Sequence, residues 1–131
     1  MRKVYPALLS VIEDGSYFIR VPDIDGCITT AATIEEAFDN IRDALACTLC
    51  SYEDYNDPIP DPSPVSAVVV DGSTAILVDV DTVEYRKETD TRAVRKNVSL
   101  PAWMSYLADK KGINCSQVLQ DALRLQFDST T

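Results

Sequence analysis

Two apolar runs open the chain, Val4 to Ile12 and Tyr17 to Val21, and the polar break between them, Glu13-Asp14-Gly15-Ser16, is a turn signal of the hairpin type. A β-hairpin is predicted. Pro22-Asp23-Ile24-Asp25-Gly26 makes the next bend, and Cys27 to Thr30 can return as a third short strand. Thr33 then opens a helix. With Glu36 it forms a capping box, and Ile34, Ala37, Phe38, Ile41, Leu45, Leu49 and Tyr52 recur at the helical period along one face. Four prolines within Asp57 to Pro64 impose a stiff, extended connector. A further strand follows at Thr74 to Val80, with room for another at Ser66 to Val70. Residues 82–92 are charged without a period and read as a linker.

The pattern changes after residue 93. Val94, Val98 and Leu100 alternate with Arg95, Asn97 and Ser99, so a strand here buries one face and presents a cation and two hydrogen-bonding side chains on the other. Only Lys96 interrupts the apolar face. Pro101 stops a ladder and suits the first turn of a helix. That helix runs to about Lys111, carries Trp103, Met104, Leu107 and Ala108 at helical spacing, and ends on Lys110, Lys111 and Gly112. Asn114 caps a second helix. Gln117 completes a capping box, Ile113 and Val118 hold the staple positions, and Val118, Leu119, Ala122 and Leu123 supply the apolar stripe. A unit this small cannot enclose a sufficient core alone, so it is expected to dimerise.

The segments Arg95-Lys96-Asn97-Val98-Ser99-Leu100-Pro101 and Lys111-Gly112-Ile113-Asn114-Cys115-Ser116-Gln117 resemble the ribbon-helix-helix family of DNA-binding proteins. The resemblance implies that strands from two subunits pair as an antiparallel ribbon in the major groove, with Arg95, Asn97 and Ser99 reading base edges. The chemistry suits those roles. Arginine forks onto guanine, asparagine pairs doubly with adenine, and serine serves either. The resemblance also implies a phosphate contact at the start of the second helix, at Asn114, Cys115 and Ser116, where backbone N–H groups favour an anion.

Charge divides the chain in the same place. Residues 1–90 hold 6 Lys/Arg against 18 Asp/Glu, a net of −12, whereas residues 91–131 hold 6 against 3, a net of +3. A basic tail on an acidic body argues for a dedicated nucleic-acid reading head beside a domain with another partner. No tract of the 131 residues is long and apolar enough to span a membrane. Met1-Arg2-Lys3 looks like a basic signal start, but Glu13 and Asp14 break the apolar run and no small-residue cleavage site follows. A cytoplasmic protein is expected.

The phrases Gly15-Ser16-Tyr17-Phe18-Ile19-Arg20-Val21-Pro22-Asp23, Gly26-Cys27-Ile28-Thr29-Thr30 and Thr33-Ile34-Glu35-Glu36-Ala37, with Ile59-Pro60-Asp61-Pro62-Ser63, are similar to the HicB antitoxin family over roughly residues 3–80. The resemblance implies an α+β chain: a ββ(β)αβ, reduced RNase H-like toxin-neutralising domain over residues 1–81, a linker over 82–92, and a ribbon-helix-helix DNA-binding domain over 93–131. It implies a type II antitoxin that masks a HicA-type, mRNA-cleaving toxin and represses its own operon on operator DNA. The chain would be a homodimer through its tail, or a tetramer through further contacts of the body. The toxin-facing residues are not legible. The competing reading is a stand-alone ribbon-helix-helix repressor whose body senses a ligand or only oligomerises.

Catalysis finds little support. Asp23 with Asp25, or Asp79 with Asp81, could hold Mg²⁺ on an RNase H-like sheet, yet the first pair suits turn chemistry equally well and the second the exposed face of a strand. Histidine, the commonest general base, is absent. Cys47-Thr48-Leu49-Cys50 has redox-motif spacing, but it lies near the C-terminal end of a helix, where the dipole opposes a thiolate. Zinc would need Cys27 and Cys115 as well, from different units. The four cysteines are expected to be free, buried and apolar, with no cofactor, metal or catalytic residue.

Overall fold

The computed structural model describes residues 1–68 and 72–129. It divides into two compact units, Met1–Arg92 and Ala93–Thr131. The first unit is a four-stranded antiparallel sheet, in the order β3-β2-β1-β4, with one helix packed on it and a second packed on that helix.

Strand β1 (Arg2–Val11) and strand β2 (Tyr17–Arg20) form the expected hairpin, in which Leu8 faces Arg20 and Val11 faces Tyr17. The turn is fastened by Asp14, whose Oδ1 accepts from the N–H of Ser16 at 2.9 Å and from its hydroxyl at 2.5 Å. These bonds hold the Asp14 carboxyl below its ordinary range. Gly15 stands in this turn at φ 86°, where a side chain would be strained. Strand β3 (Ile28–Ala31) adds to β2, and strand β4 (Thr74–Asp81) pairs with β1 from Arg2 to Leu9.

Pro6 therefore lies in a central strand, where proline is rare because it cannot donate to a ladder. The register accounts for it. The β1–β2 pairs begin only at Leu8, so opposite Pro6 the β2 side has no ladder partner.

Helix α1 (Ile34–Asp54) covers one face of the sheet. Ala37, Ile41, Leu45 and Leu49 are completely buried and pack with Tyr5, Ala7, Ile19, Val78 and Val80. Ile34 and Phe38 lie at the margin of that face, each 37% exposed. Thr33 caps the helix by accepting from the N–H of Glu36 at 3.2 Å, and the Glu36 carboxylate accepts from the N–H of Ala32 at 3.4 Å.

Two expectations change here. Residues 82–89, expected as linker, form helix α2 (Thr82–Thr89), because the side chain of Asp81 caps it through the N–H groups of Val83 and Glu84. Arg86 docks α2 on α1, donating to the Cys50 carbonyl at 3.1 Å, to Glu53 at 3.2 Å and to Asp54 at 2.9 Å. It supplies the cation that the last turn of α1 lacks. The strand expected at Ser66 to Val70 begins instead as a 3₁₀ turn, Val65–Ala67, capped by Val68, and its residues 69–70 lie outside the described residues.

The second unit holds helix α3 (Ala102–Lys111) and helix α4 (Cys115–Ser129). No strand is assigned at residues 94–100 within the single chain. A ladder exists only between paired backbones, so a strand here needs a partner from outside the single unit.

Candidate nucleic-acid interface

The turn from α3 into α4 sets the geometry of the second unit. Gly112 adopts φ 65°, a left-handed conformation natural to glycine, so that its N–H reaches the Asp109 carbonyl at 3.2 Å while the N–H of Ile113 reaches that of Ala108 at 2.9 Å. Asn114 then caps α4, its Oδ1 accepting from the N–H of Gln117 at 3.1 Å. The capping box is half formed. The Gln117 side chain turns forward to Asp121 at 2.9 Å instead of back to Asn114. Because the cap already holds the Gln117 N–H, Cys115 and Ser116 are the N-terminal residues whose backbone donors an anion could meet.

Among the described residues none of this unit is buried, and only Ala108 and Leu119 are half-buried. Trp103 is 63% exposed and Val118 56%, far more than residues of these types tolerate in a finished core. The exposed side chains are not scattered. Val98, Leu100, Trp103, Met104, Leu107 and Val118 line one apolar groove of about 550 Å³, with Lys96, Lys111, Cys115 and Ser116 also on its walls. Arg95, Asn97 and Ser99 do not line it. The alternation thus separates a groove-facing set from the three candidate base readers, which are all exposed. Lys96 falls on the apolar side and is a groove residue that the alternation marks only as an exception. Lys110 sits over the Tyr106 ring at 5.5 Å, and Arg124 pairs with Asp121 at 3.3 Å.

In the first unit, three of the four candidate metal carboxylates, all but Asp25, have structural roles as acceptors or ion-pair partners. Both oxygens of Asp23 accept from Ser63, Asp79 pairs with Arg42 at 3.0 Å, and Asp81 caps α2. No group of three or more metal-ligating side chains occurs among the described residues. Asp39, Asp43, Asp79, Asp81, Glu84 and Glu88 line a cleft of about 490 Å³ where α1, β4 and α2 meet, with Arg2 and Arg42 as its cations. Sequence reasoning missed this cleft, since it depends on α2 being a helix. Tyr85, also on its wall, has its hydroxyl pushed up to about 12 by desolvation and then by Asp43 and the two nearby cysteines.

The cysteines divide. Cys27 and Cys50 are buried as expected, but Cys47 and Cys115 are exposed. Cys47 lies on the solvent side of the helical turn that buries Leu45, Ala46 and Leu49, and Cys115 begins a helix that has no core of its own. Burial pushes the Cys27 thiol up to about 11 and raises that of Cys50.

The family described as the HicB-like antitoxin of bacterial toxin–antitoxin systems matches residues 5–119, reaching across both units. The chain belongs to this family. It is 40% identical over 67 residues to the antitoxin HicB 1 of Photorhabdus laumondii, a match covering 51% of this chain and 43% of that one. It is 33% identical over 63 residues to the antitoxin HicB of Escherichia coli K12, covering 48% and 46%. The chain thus spans less than half the length of these two curated relatives. Among solved structures it is similar to a chain of a toxin–antitoxin complex from Streptococcus pneumoniae, with a TM-score of 0.61 and 26% identity over 96% of this chain and 99% of that one. The N-terminal domain of the Burkholderia pseudomallei antitoxin HicB gives a TM-score of 0.55 at 25% identity over 60% of this chain. No helix among the described residues is long and apolar enough to cross a membrane.

Proposed function

We propose that this chain is a type II antitoxin: its first unit, on a reduced RNase H-like sheet, binds and masks a HicA-type, mRNA-cleaving toxin, and its second represses the operon encoding both. The second unit acts as a ribbon-helix-helix dimer. Residues 94–100 of two copies pair as a ribbon, Arg95, Asn97 and Ser99 contact bases, and Asn114, Cys115 and Ser116 hold a phosphate. The observation that carries the reading is the apolar groove in a unit without a core, fitted along residues 96–100 to the side opposite the three polar readers. A second copy supplies what the single unit lacks.

The first unit fits a cationic partner. Its net charge of −12 over residues 1–90 and the carboxylates of the α1–β4–α2 cleft complement a protein that grips RNA phosphates, and they speed the encounter. The chain acts by binding, in the cytoplasm, without catalytic residue, metal or cofactor. The test is RNA cleavage by the basic protein encoded beside it, with the full chain added at equal ratio. Cleavage stops if the reading is right; unabated cleavage in the presence of folded chain removes it.

A further inference from the structure

The Cys47–Cys50 pair takes no part in the surfaces described above. Helix α1 places the two residues three apart, where α-helical geometry holds the Cα atoms about 5 Å from each other, inside the span of about 4.4 to 6.8 Å that a disulfide bridges. Their settings differ. Cys47 is exposed, whereas Cys50 is buried and its thiol donates to the Thr82 carbonyl at 3.9 Å. Cys47 lies near the hydroxyl of Tyr85. The Cys50 thiol therefore holds the first residue of α2, and Cys47 lies beside the turn after it. Between them, the Thr48 hydroxyl donates back to the Ala44 carbonyl at 2.8 Å, a bond that lets a helix bend locally. Helix α2 has little apolar anchorage, since Thr82 is its sole buried residue.

We propose that Cys47 and Cys50 are a redox-responsive dithiol, closed by a low-molecular-weight disulfide into an intrahelical disulfide that loosens α2 from α1. The Cys47 thiolate attacks the small disulfide, forms a mixed disulfide and expels one thiolate. The Cys50 thiolate then attacks the Cys47 sulfur and expels the second. Two protein thiols are oxidised, one small disulfide is reduced to two thiols, and the two protons lost by the protein pass to those thiols. Exposed Cys47 makes the first attack, and buried Cys50 resolves it from within the same turn. With both sulfurs turned toward each other, Thr82 loses its thiol donor.

The test treats the full chain carrying Cys115→Ser, which removes the other exposed thiol, with oxidised glutathione, quenches with acid, and follows intact mass and amide exchange. The expected product is lighter by about 2 Da, the two thiol hydrogens, with faster exchange of the 82–89 amides, both reversed by a dithiol reductant. In this background Cys47→Ser gives neither change, and Cys50→Ser stops at the mixed disulfide on Cys47. A parent chain that keeps glutathione on Cys47 without closing, or that closes with unchanged exchange at 82–89, overturns the proposal.

Discussion

Asp23 and Ser63, 40 residues apart in sequence, meet in a two-point clamp: the Ser63 N–H donates to one carboxylate oxygen at 2.8 Å and the Ser63 hydroxyl to the other at 2.5 Å. The clamp ties the proline-rich connector to the β2–β3 bend. Tyr5, fully buried, adds a bond from its hydroxyl to the Pro60 carbonyl at 2.6 Å, and Lys3 pairs with Asp61 at 3.0 Å. Hydrogen bonds to a charged acceptor contribute about 1.5 to 3 kcal/mol. Asp23→Ala should therefore lower stability by about 2 kcal/mol, seen as a lower urea midpoint at constant slope, and Ser63→Ala by about 1 kcal/mol. An unchanged midpoint in Asp23→Ala would remove the clamp.

The thiols should react as two classes. At pH 8 an alkylating reagent, which leaves no disulfide for Cys50 to attack, should modify Cys47 and Cys115 quickly, leaving Cys27 and Cys50 until the chain unfolds. The folded Cys27 thiol keeps its proton to about 11 against an ordinary 9.0. Between those values the unfolded state binds fewer protons, so this stabilising contribution is complete below pH 9 and disappears as pH rises through 11. Cys27→Ala should flatten that part of the alkaline stability profile, and an equal slope in variant and parent would contradict the assignment.

If the groove of the second unit is filled by a second copy, a charge placed in it should separate the copies. Leu107→Asp puts a carboxylate where an apolar side chain lies, at a cost of roughly 3 kcal/mol or more, equivalent to at least about 100-fold in dissociation constant. Sedimentation should show a dimer for the parent and monomer for the variant at micromolar concentration. Monomer for both would leave the groove without its proposed occupant.

The periodic parts of the fold were legible in the sequence, and the parts made by long-range polar bonds were not. Thr33, Glu36 and the stripe from Ala37 to Leu49 announced α1 because its stability comes from one apolar face, and the 13–16 turn announced the hairpin. Helix α2 carries mixed charge without a stripe, and its support comes from Asp81 at its start and from Arg86 reaching Glu53 and Asp54 about 32 residues back. No local pattern encodes such support. Asp23 read equally well as turn residue or ligand because Ser63 was out of view. In the second unit, alternation separated Arg95, Asn97 and Ser99 from Val98 and Leu100, but the ribbon proposed between copies has no trace in one chain.

Base reading by the second unit has its own signature. Arg95→Ala should weaken operator binding by about 1 to 3 kcal/mol and relax preference at one base position, whereas Lys111→Ala, if it neutralises phosphate, should weaken all sequences alike and lower the salt slope by about 1. Footprinting and binding at several salt concentrations separate the two effects. Equal loss on operator and random DNA in Arg95→Ala would reassign that side chain to the backbone.

The most direct test of the antitoxin reading is to express the tagged chain in its own host, isolate it at low salt, and identify by mass spectrometry what comes with it. One small basic protein in fixed ratio, able to cleave mRNA once separated, is the predicted result. Recovery of the chain alone or with DNA only, from cells also making that neighbouring protein, would contradict it and leave a stand-alone repressor.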